Sequence, residues 1–419
     1  MAVGPTTPNL ARTSHSGHGP RGMRGPGWTA ALALWLAVCG QSAPAAEQAR
    51  FATFNASLNR SSAGDLIQEL SVPGSAQPGA VAEIIQRVDP DVLLVNEFDF
   101  DEQSEAAHLF QKNYLSVPQN EAPAVDYPYV FVAPSNTGIA SGVDLDNSGT
   151  VGGLGDAFGF GFFTGQFGMV LFSKFPILET EARTFQTFLW RDMPGALLPD
   201  DPATPEPADW YSPDELAVVR LSSKSHWDVP IQIGERAVHV LASHPTPPVF
   251  DGPEDRNGLR NHDEIRFWAD YVQPAQGRYI VDDDGIVGGL TPGAPFVIMG
   301  DMNADPLDGD SAEDAILQLL DHPLIDTRFT PASGGAVEAA DQGGINDDHL
   351  GDPASDTADF RDGSPGNLRV DYVLPSWSLP ILDSAVFWPT SGDPQFALVG
   401  VFPFPSSDHR LVWIDVLAP

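Results

Sequence analysis

The run PGAVAEIIQRVDPDVLLVNE, residues 78–97, decides the fold class. Its apolar residues Val81, Ile84, Ile85 and Val88 recur at the i, i+3, i+4, i+7 spacing of a helix with one buried stripe. Asp89-Pro90 ends that helix, because proline disfavours helical backbone in the residue before it. Val92 to Val95 is then continuously apolar, as in a strand covered on both faces. Glu97 falls just beyond its end. A helix followed by a buried strand predicts an α/β protein.

The pattern extends in both directions. Gln48–Asn55, Tyr127–Ala133 and Gly168–Ser173 read as strands. Leu216–Leu221, Val229–Ile233 and Ala237–Ser243 read as successive antiparallel strands. The spacing predicts a helix over Asn257–Val272. Phe296–Met299 is a buried strand running into Gly300-Asp301-Met302-Asn303. Ser311–Leu320 opens with a Ser-x-x-Asp cap and predicts a helix. Leu368–Leu374 and Leu411–Val416 are closing strands. Three polar stretches, 134–167, 192–214 and 331–366, read as loops, in keeping with 40 glycines and 39 prolines. No internal repeat or linker interrupts residues 47–419, so they are expected to form one domain with long loop insertions.

Hydrophobic residues make up 42% of the 419, which excludes a chain disordered by composition. Arg21 and Arg24, the apolar run Trp28–Val38 and the small residues Ser42 to Ala46 read as an export signal within the leader 1–46, cleaved near Ala45/Ala46. The run is too short to span a bilayer, and no other stretch is long enough. A secreted or periplasmic protein without a membrane span is expected. Cys39, the single cysteine, lies inside that signal, so disulfides do not hold the fold. Its surroundings also leave open a lipoprotein acylated at Cys39. The formal charge is −36, and residues 1–46 carry only Arg12, Arg21 and Arg24, so the remainder is more acidic still. Such a surface repels polyanions and lacks the basic stripe of a tight nucleic-acid binder.

Acidic, amide and imidazole side chains recur at strand ends. They are Asn55, Glu97, His244 in Ala-Ser-His-Pro, Asp301 and Asn303 in Gly-Asp-Met-Asn, Asp371 in Arg-Val-Asp-Tyr, and Asp408-His409 in Ser-Ser-Asp-His. Sheets hold such loops rigidly, so catalytic groups gather there. Carboxylate and amide oxygens suit hard divalent ions. A phosphoester needs its charge neutralised and a water activated, tasks that a metal and a carboxylate divide between them. An Asp–His pair keeps an imidazole charged and oriented.

This set, in this order from about Phe51 to Pro419, resembles the endonuclease/exonuclease/phosphatase superfamily. The Gly-Asp-x-Asn and Ser-Asp-His motifs carry most of the specificity. The resemblance implies a four-layer α-β-β-α sandwich of two stacked mixed sheets. It implies Glu97 as principal metal ligand, helped by Asn55 and Asp408, with Mg²⁺ or Mn²⁺ (Ca²⁺ as a further option) as cofactor. Asp301 would orient or deprotonate water, and Asn303 would hold a phosphate oxygen. His409 would contact the phosphate with Asp371 as its partner. His244 would bind phosphate or protonate the leaving group. Each has a plain alternative as a turn, cap or solvated charge.

Further candidates rest on composition. Lys224 and His226, within Ser222–Asp228, could grip a second phosphate or a substrate head group. Arg260, with Arg256 and Arg266, could mark an anion site or pair with nearby acids. Asp144, Asp146 and Ser148 begin like a calcium loop, but position twelve is Gly155 and Asp156 comes one late. The expected activity is hydrolysis of a phosphodiester or phosphomonoester, on a small molecule, lipid head group or nucleic acid, with no obligate protein partner. An extracellular nuclease and a non-catalytic exported binding protein on the same fold are the alternatives.

Overall fold

The computed structural model describes residue 14, residues 47–312 and residues 314–418. The expected export signal, its cleavage site and Cys39 lie outside the described residues.

The first sheet contains β1 (Glu47–Asn55), β2 (Val92–Asn96), β3 (Tyr129–Phe131), β4 (Met169–Ser173), β12 (Ile381–Val386) and β13 (Val412–Ala418), in the order β12-β13-β1-β2-β4-β3. The second contains β5 (Arg183–Thr184), β6 (His226–Ile233), β7 (Arg236–Ser243), β8 (Phe296–Asp301) and β11 (Asp371–Pro375), in the order β11-β8-β7-β6-β5. A two-stranded ribbon joins β9 (Ala358–Asp359) to β10 (Asn367–Leu368). Both sheets are mixed, since β1 pairs in parallel with β2 and β7 with β8, and the other neighbours are antiparallel.

The second sheet shows why its strands are apolar without alternation. Val240, Ala242, Val297, Met299 and Val373 face the core shared with the first sheet. Their neighbours Leu241, Phe296, Ile298, Tyr372 and Leu374 face a second core with Ile265, Phe267, Trp268 and Tyr271 of the helix Arg256–Val272. Period-two alternation thus persists, with both faces buried. Helix Ala76–Val88 buries Val81, Ile84, Ile85 and Val88 in the first core. Helices outside two facing sheets make the four-layer α-β-β-α sandwich.

Register brings the candidate residues to one edge. Asn55 pairs with Asn96, so Asn55 and Glu97 leave β1 and β2 together. Ala242 pairs with Met299, so His244 and Asp301 leave β7 and β8 together. Asp371 is the direct cross-strand partner of Asp301. At Gly300 (φ 150°) an added Cβ would lie 1.9 Å from the Ser243 carbonyl oxygen, which is why only glycine serves before Asp301.

Several elements differ from expectation. Leu216–Leu221 is not a strand. Ser212 and Glu215 form a capping box with Pro213 at the first turn, and this winds Pro213–Leu216 into a helix. Val219 and Leu221 then pair only locally, with Trp190 and Phe188. The helix at Ser311–Leu320 shrinks to Leu317–Leu320, because Asp314 adopts φ 57° and breaks the turn that Ser311 was expected to cap. The expected strand Leu368–Leu374 divides into β10 and β11. The 331–366 stretch contains a helix, Gly334–Ala340, capped by Ser333. β12, an edge strand of mixed polarity, carries no clear signal in sequence.

Candidate active site

Asp301, at the end of β8, is almost fully buried and surrounded by donors. Its Oδ2 accepts from Asn55 Nδ2 at 3.0 Å and lies 3.4 Å from His244 Nε2. Its Oδ1 accepts from the Asn303 backbone amide at 2.9 Å. Burial works to raise the Asp301 carboxyl, but the charge of His409, the contact with His244 and the Asn55 amide outweigh it and hold the group well below the usual carboxylate range.

His409 stands between two carboxylates. Its Nδ1 lies 2.9 Å from Asp371 Oδ2, and its Nε2 lies 3.8 Å from Asp301 Oδ2. The first is a hydrogen bond. The second is too long for one, so Nε2–H is free to donate to a third group. Burial would neutralise the ring, yet the charges of Asp371 and Asp301 prevail and push it well above the ordinary histidine value. The two carboxylates therefore favour the protonated ring. His244 behaves oppositely. Burial and the charge of Lys224 push it down to about 4 despite Asp301, so it is neutral.

Two hydroxyls that the sequence did not single out complete the frame. Thr357 Oγ1 donates to Asp371 Oδ2 at 2.8 Å and accepts from the Asp371 amide at 3.0 Å. Ser407 Oγ donates to the Asn55 carbonyl at 2.7 Å and accepts from the His409 amide at 3.1 Å. Ser407 lies inside the Ser-Ser-Asp-His motif, which was a usable signal. Thr357, in a polar stretch, gave none.

Glu97 (φ 57°) and Asn303 (φ 50°) both occupy the left-handed region. Non-glycine residues adopt it at a cost, and such strain concentrates at functional sites. Glu97 accepts from Asn59 Nδ2 at 2.7 Å through Oε2, and the Asn55 amide also acts on its carboxylate. Burial, followed by the charges of Asp408 and Asp301 against that of His409, pushes its carboxyl up to about 7. The carboxylates of Glu97, Asp408 and Asp301 line one cavity, and the latter two act on Glu97 through their charges, a donor chemistry that fits a hard divalent cation. Asp301, Asp371 and His409 also bring ligand atoms within 4.8 Å of one another. That trio reads as a charge-paired imidazole, because Asp371 already engages Nδ1 and the Thr357 hydroxyl.

Glu97, His244, Asp301, Asn303, Asp408 and His409 line one cavity of about 1590 Å³. Lys224 and Arg260 line it too. His226 does not. Its Nε2 pairs with the Glu264 carbonyl at 2.9 Å, and its ring packs on Phe267 and Trp268, so the expectation of a substrate contact there is corrected to a core histidine. In the 144–156 loop, Asp144, Asp146 and Asp156 approach within 4.8 Å. Asp144 accepts from the amides of Ser148 and Gly149, and Asp156 from those of Leu145, Gly152 and Gly153, so the loop's own N–H groups occupy these carboxylates. Among the described residues no helix is long and apolar enough to cross a membrane.

Solved structures similar to this chain include an endonuclease/exonuclease/phosphatase from Beutenbergia cavernae DSM 12333, 18% identical over 88% of this chain and 72% of that one, with a TM-score of 0.47. Truncated TDP2 from Caenorhabditis elegans is 14% identical over 88% and 98%, with a TM-score of 0.40. Sphingomyelinase C from Streptomyces griseocarneus is 15% identical over 89% and 100%, with a TM-score of 0.41. No curated protein matches the sequence. The model of the Endonuclease/Exonuclease/phosphatase family matches residues 52–409, a span that runs from the central strand β1 to His409. On that match the chain belongs to the endonuclease/exonuclease/phosphatase family.

Proposed function

We propose that the protein is an exported, divalent-metal-dependent phosphoesterase that hydrolyses small phosphoesters by direct attack of water. Members of its family are typically metal-dependent phosphoester hydrolases. The observation that carries the reading is the convergence on Asp301. One carboxylate, kept ionised, faces the cavity beside a charged imidazole.

Glu97, Asp408 and Asn55 would hold the cation, which would supply charge neutralisation at the phosphoryl group. Asp301 orients the attacking water and draws on its proton, and the Asn303 amide holds a phosphoryl oxygen. His409, charged through Asp371, donates Nε2–H to another phosphoryl oxygen, where negative charge builds during attack. His244 is neutral and touches Asp301, so it steadies that carboxylate and is poorly suited to protonate a leaving group.

The cavity mouth favours a small ester with an apolar substituent over long DNA. Exposed Phe160, Phe250, Val401 and Phe402 line it, and the chain is strongly acidic. Export rests on the N-terminal sequence alone.

The test is hydrolysis of bis-p-nitrophenyl phosphate, p-nitrophenyl phosphate and plasmid DNA with Mg²⁺, Mn²⁺ or Ca²⁺. Turnover that EDTA and Asp301→Ala both abolish supports the proposal. Preference for plasmid would move the substrate to nucleic acid. Silence on every ester, with tight binding of one, would make the chain a binding protein.

A further inference from the structure

Lys224 is a buried cation without a carboxylate partner among the described residues, in a chain with 57 acidic residues. Of the three arginines that line the cavity, Arg256, Arg260 and Arg361, the first two are committed. Arg256 pairs with Glu254, and Arg260 donates to the carbonyls of Leu221, Phe158 and Arg220. Lys224 is 7% exposed, and among the described residues its Nζ meets one acceptor, the Pro245 carbonyl, at 3.3 Å. Burial pushes the ammonium below the usual lysine range, against the charges of Glu264, Asp301 and Glu97, which act through space without a hydrogen bond. An ammonium buried in this way is costly unless something negative completes it.

The surroundings indicate what completes it. The carbonyl that Lys224 touches also accepts from Asn303 Nδ2, at 3.1 Å, so the ammonium and the amide flank one oxygen atom. Ser223 and Thr246 line the same cavity, and their side-chain oxygens are buried with no partner among the described residues. Glu264 joins these segments, because its carboxylate accepts from the amides of Ser223 at 2.8 Å and Thr246 at 2.7 Å. A cation, two unused hydroxyls and the Asn303 amide thus share one wall.

We propose that Lys224, with the hydroxyls of Ser223 and Thr246, forms a subsite that binds phosphoryl oxygens beside Asn303. It deepens the phosphoesterase reading and rests on it. The subsite places an amino group beside the Asn303 amide on the cavity wall. It also accounts for a buried lysine that its acidic neighbours leave unpaired.

Calorimetry of inorganic phosphate binding to the full chain in saturating Mg²⁺ tests this without turnover. Lys224→Met is expected to weaken phosphate binding about tenfold or more, the loss of a charge-assisted contact, and Lys224→Arg to restore most of it. Ser223→Ala with Thr246→Val is expected to weaken it about fivefold. Steady-state kinetics should show the Met variant losing kcat as well as raising KM. A folded Met variant that binds phosphate within about twofold of the parent overturns the subsite, as does a parent that binds no phosphate. Should the Met variant fail to fold, unchanged affinity in the Ser223/Thr246 double variant overturns it equally. A parent that hydrolyses no ester, while Lys224→Met still loses phosphate affinity, sinks the enzyme reading and leaves the anion subsite standing.

Discussion

Asp301 and Asp371 stand opposite each other on neighbouring antiparallel strands, and the imidazole of His409 lies against both carboxylates. The ladder therefore sets the distance between the group that handles water and the group that keeps the imidazole charged. Asp371→Asn should preserve the ladder and the Thr357 contact while removing the charge behind His409. Activity should fall about a hundredfold to ten-thousandfold, and the His409 ring should titrate at lower pH by NMR. A variant with unchanged turnover would remove Asp371 from the chemistry.

Metal dependence should centre on Glu97. Mg²⁺ or Mn²⁺ should raise the melting temperature of the parent chain, worth about 2.7 kcal/mol at a hundredfold excess over Kd. Glu97→Gln should need at least about tenfold more metal for half-maximal activity and show a smaller thermal shift. Metal titrations of activity and differential scanning calorimetry with and without EDTA read the two effects. Equal shifts in the two proteins would place the cation elsewhere.

Gly300 offers a backbone test. A methyl group there meets the Ser243 carbonyl at 1.9 Å, where neither strand can yield without breaking pairing. Gly300→Ala should lose about 2–4 kcal/mol in urea denaturation, and activity should fall further than stability because Asp301 is displaced. A variant of parental stability would show that β7 and β8 tolerate wider spacing.

Asp356 should govern part of the alkaline stability. Burial, with the charges of Asp305, Asp308 and Asp352, pushes its carboxyl up to about 8. A raised value means that its contribution is fully present below the unfolded value of about 3.9 and is lost as pH rises through about 8. Asp356→Asn should therefore melt about 1–3 °C above the parent at pH 9, with the gap narrowing below about pH 8 and closing only near pH 4. A constant difference across that range would refute the assignment.

Much of the framework was legible because it is local. Helix Ala76–Val88 and strand β2 follow from a 3.6-residue stripe and a continuous apolar run, and helix Arg256–Val272 from similar spacing. Where local signals competed, the stronger chemistry prevailed. The Ser212 capping box made a helix next to a run that reads as β-prone. Lys224 and His226, two residues apart, were indistinguishable as candidates, yet one lines the cavity and the other is sealed among aromatic rings. That difference depends on where β6 begins and on what the helix Arg256–Val272 covers, and neither is encoded nearby.

The amino-acid sequence by itself determined the α/β class, the acidity and the placing of oxygen and imidazole groups at strand ends, because periodicity and burial act over a few residues. Only the tertiary structure decided that Thr357 braces Asp371, that Ser407 ties the last motif to Asn55, that His226 belongs to the core, and that Lys224 faces the cavity without an ion pair among the described residues. Those outcomes depend on strand register and on hydrogen bonds between segments tens to hundreds of residues apart, whose partners no local pattern specifies.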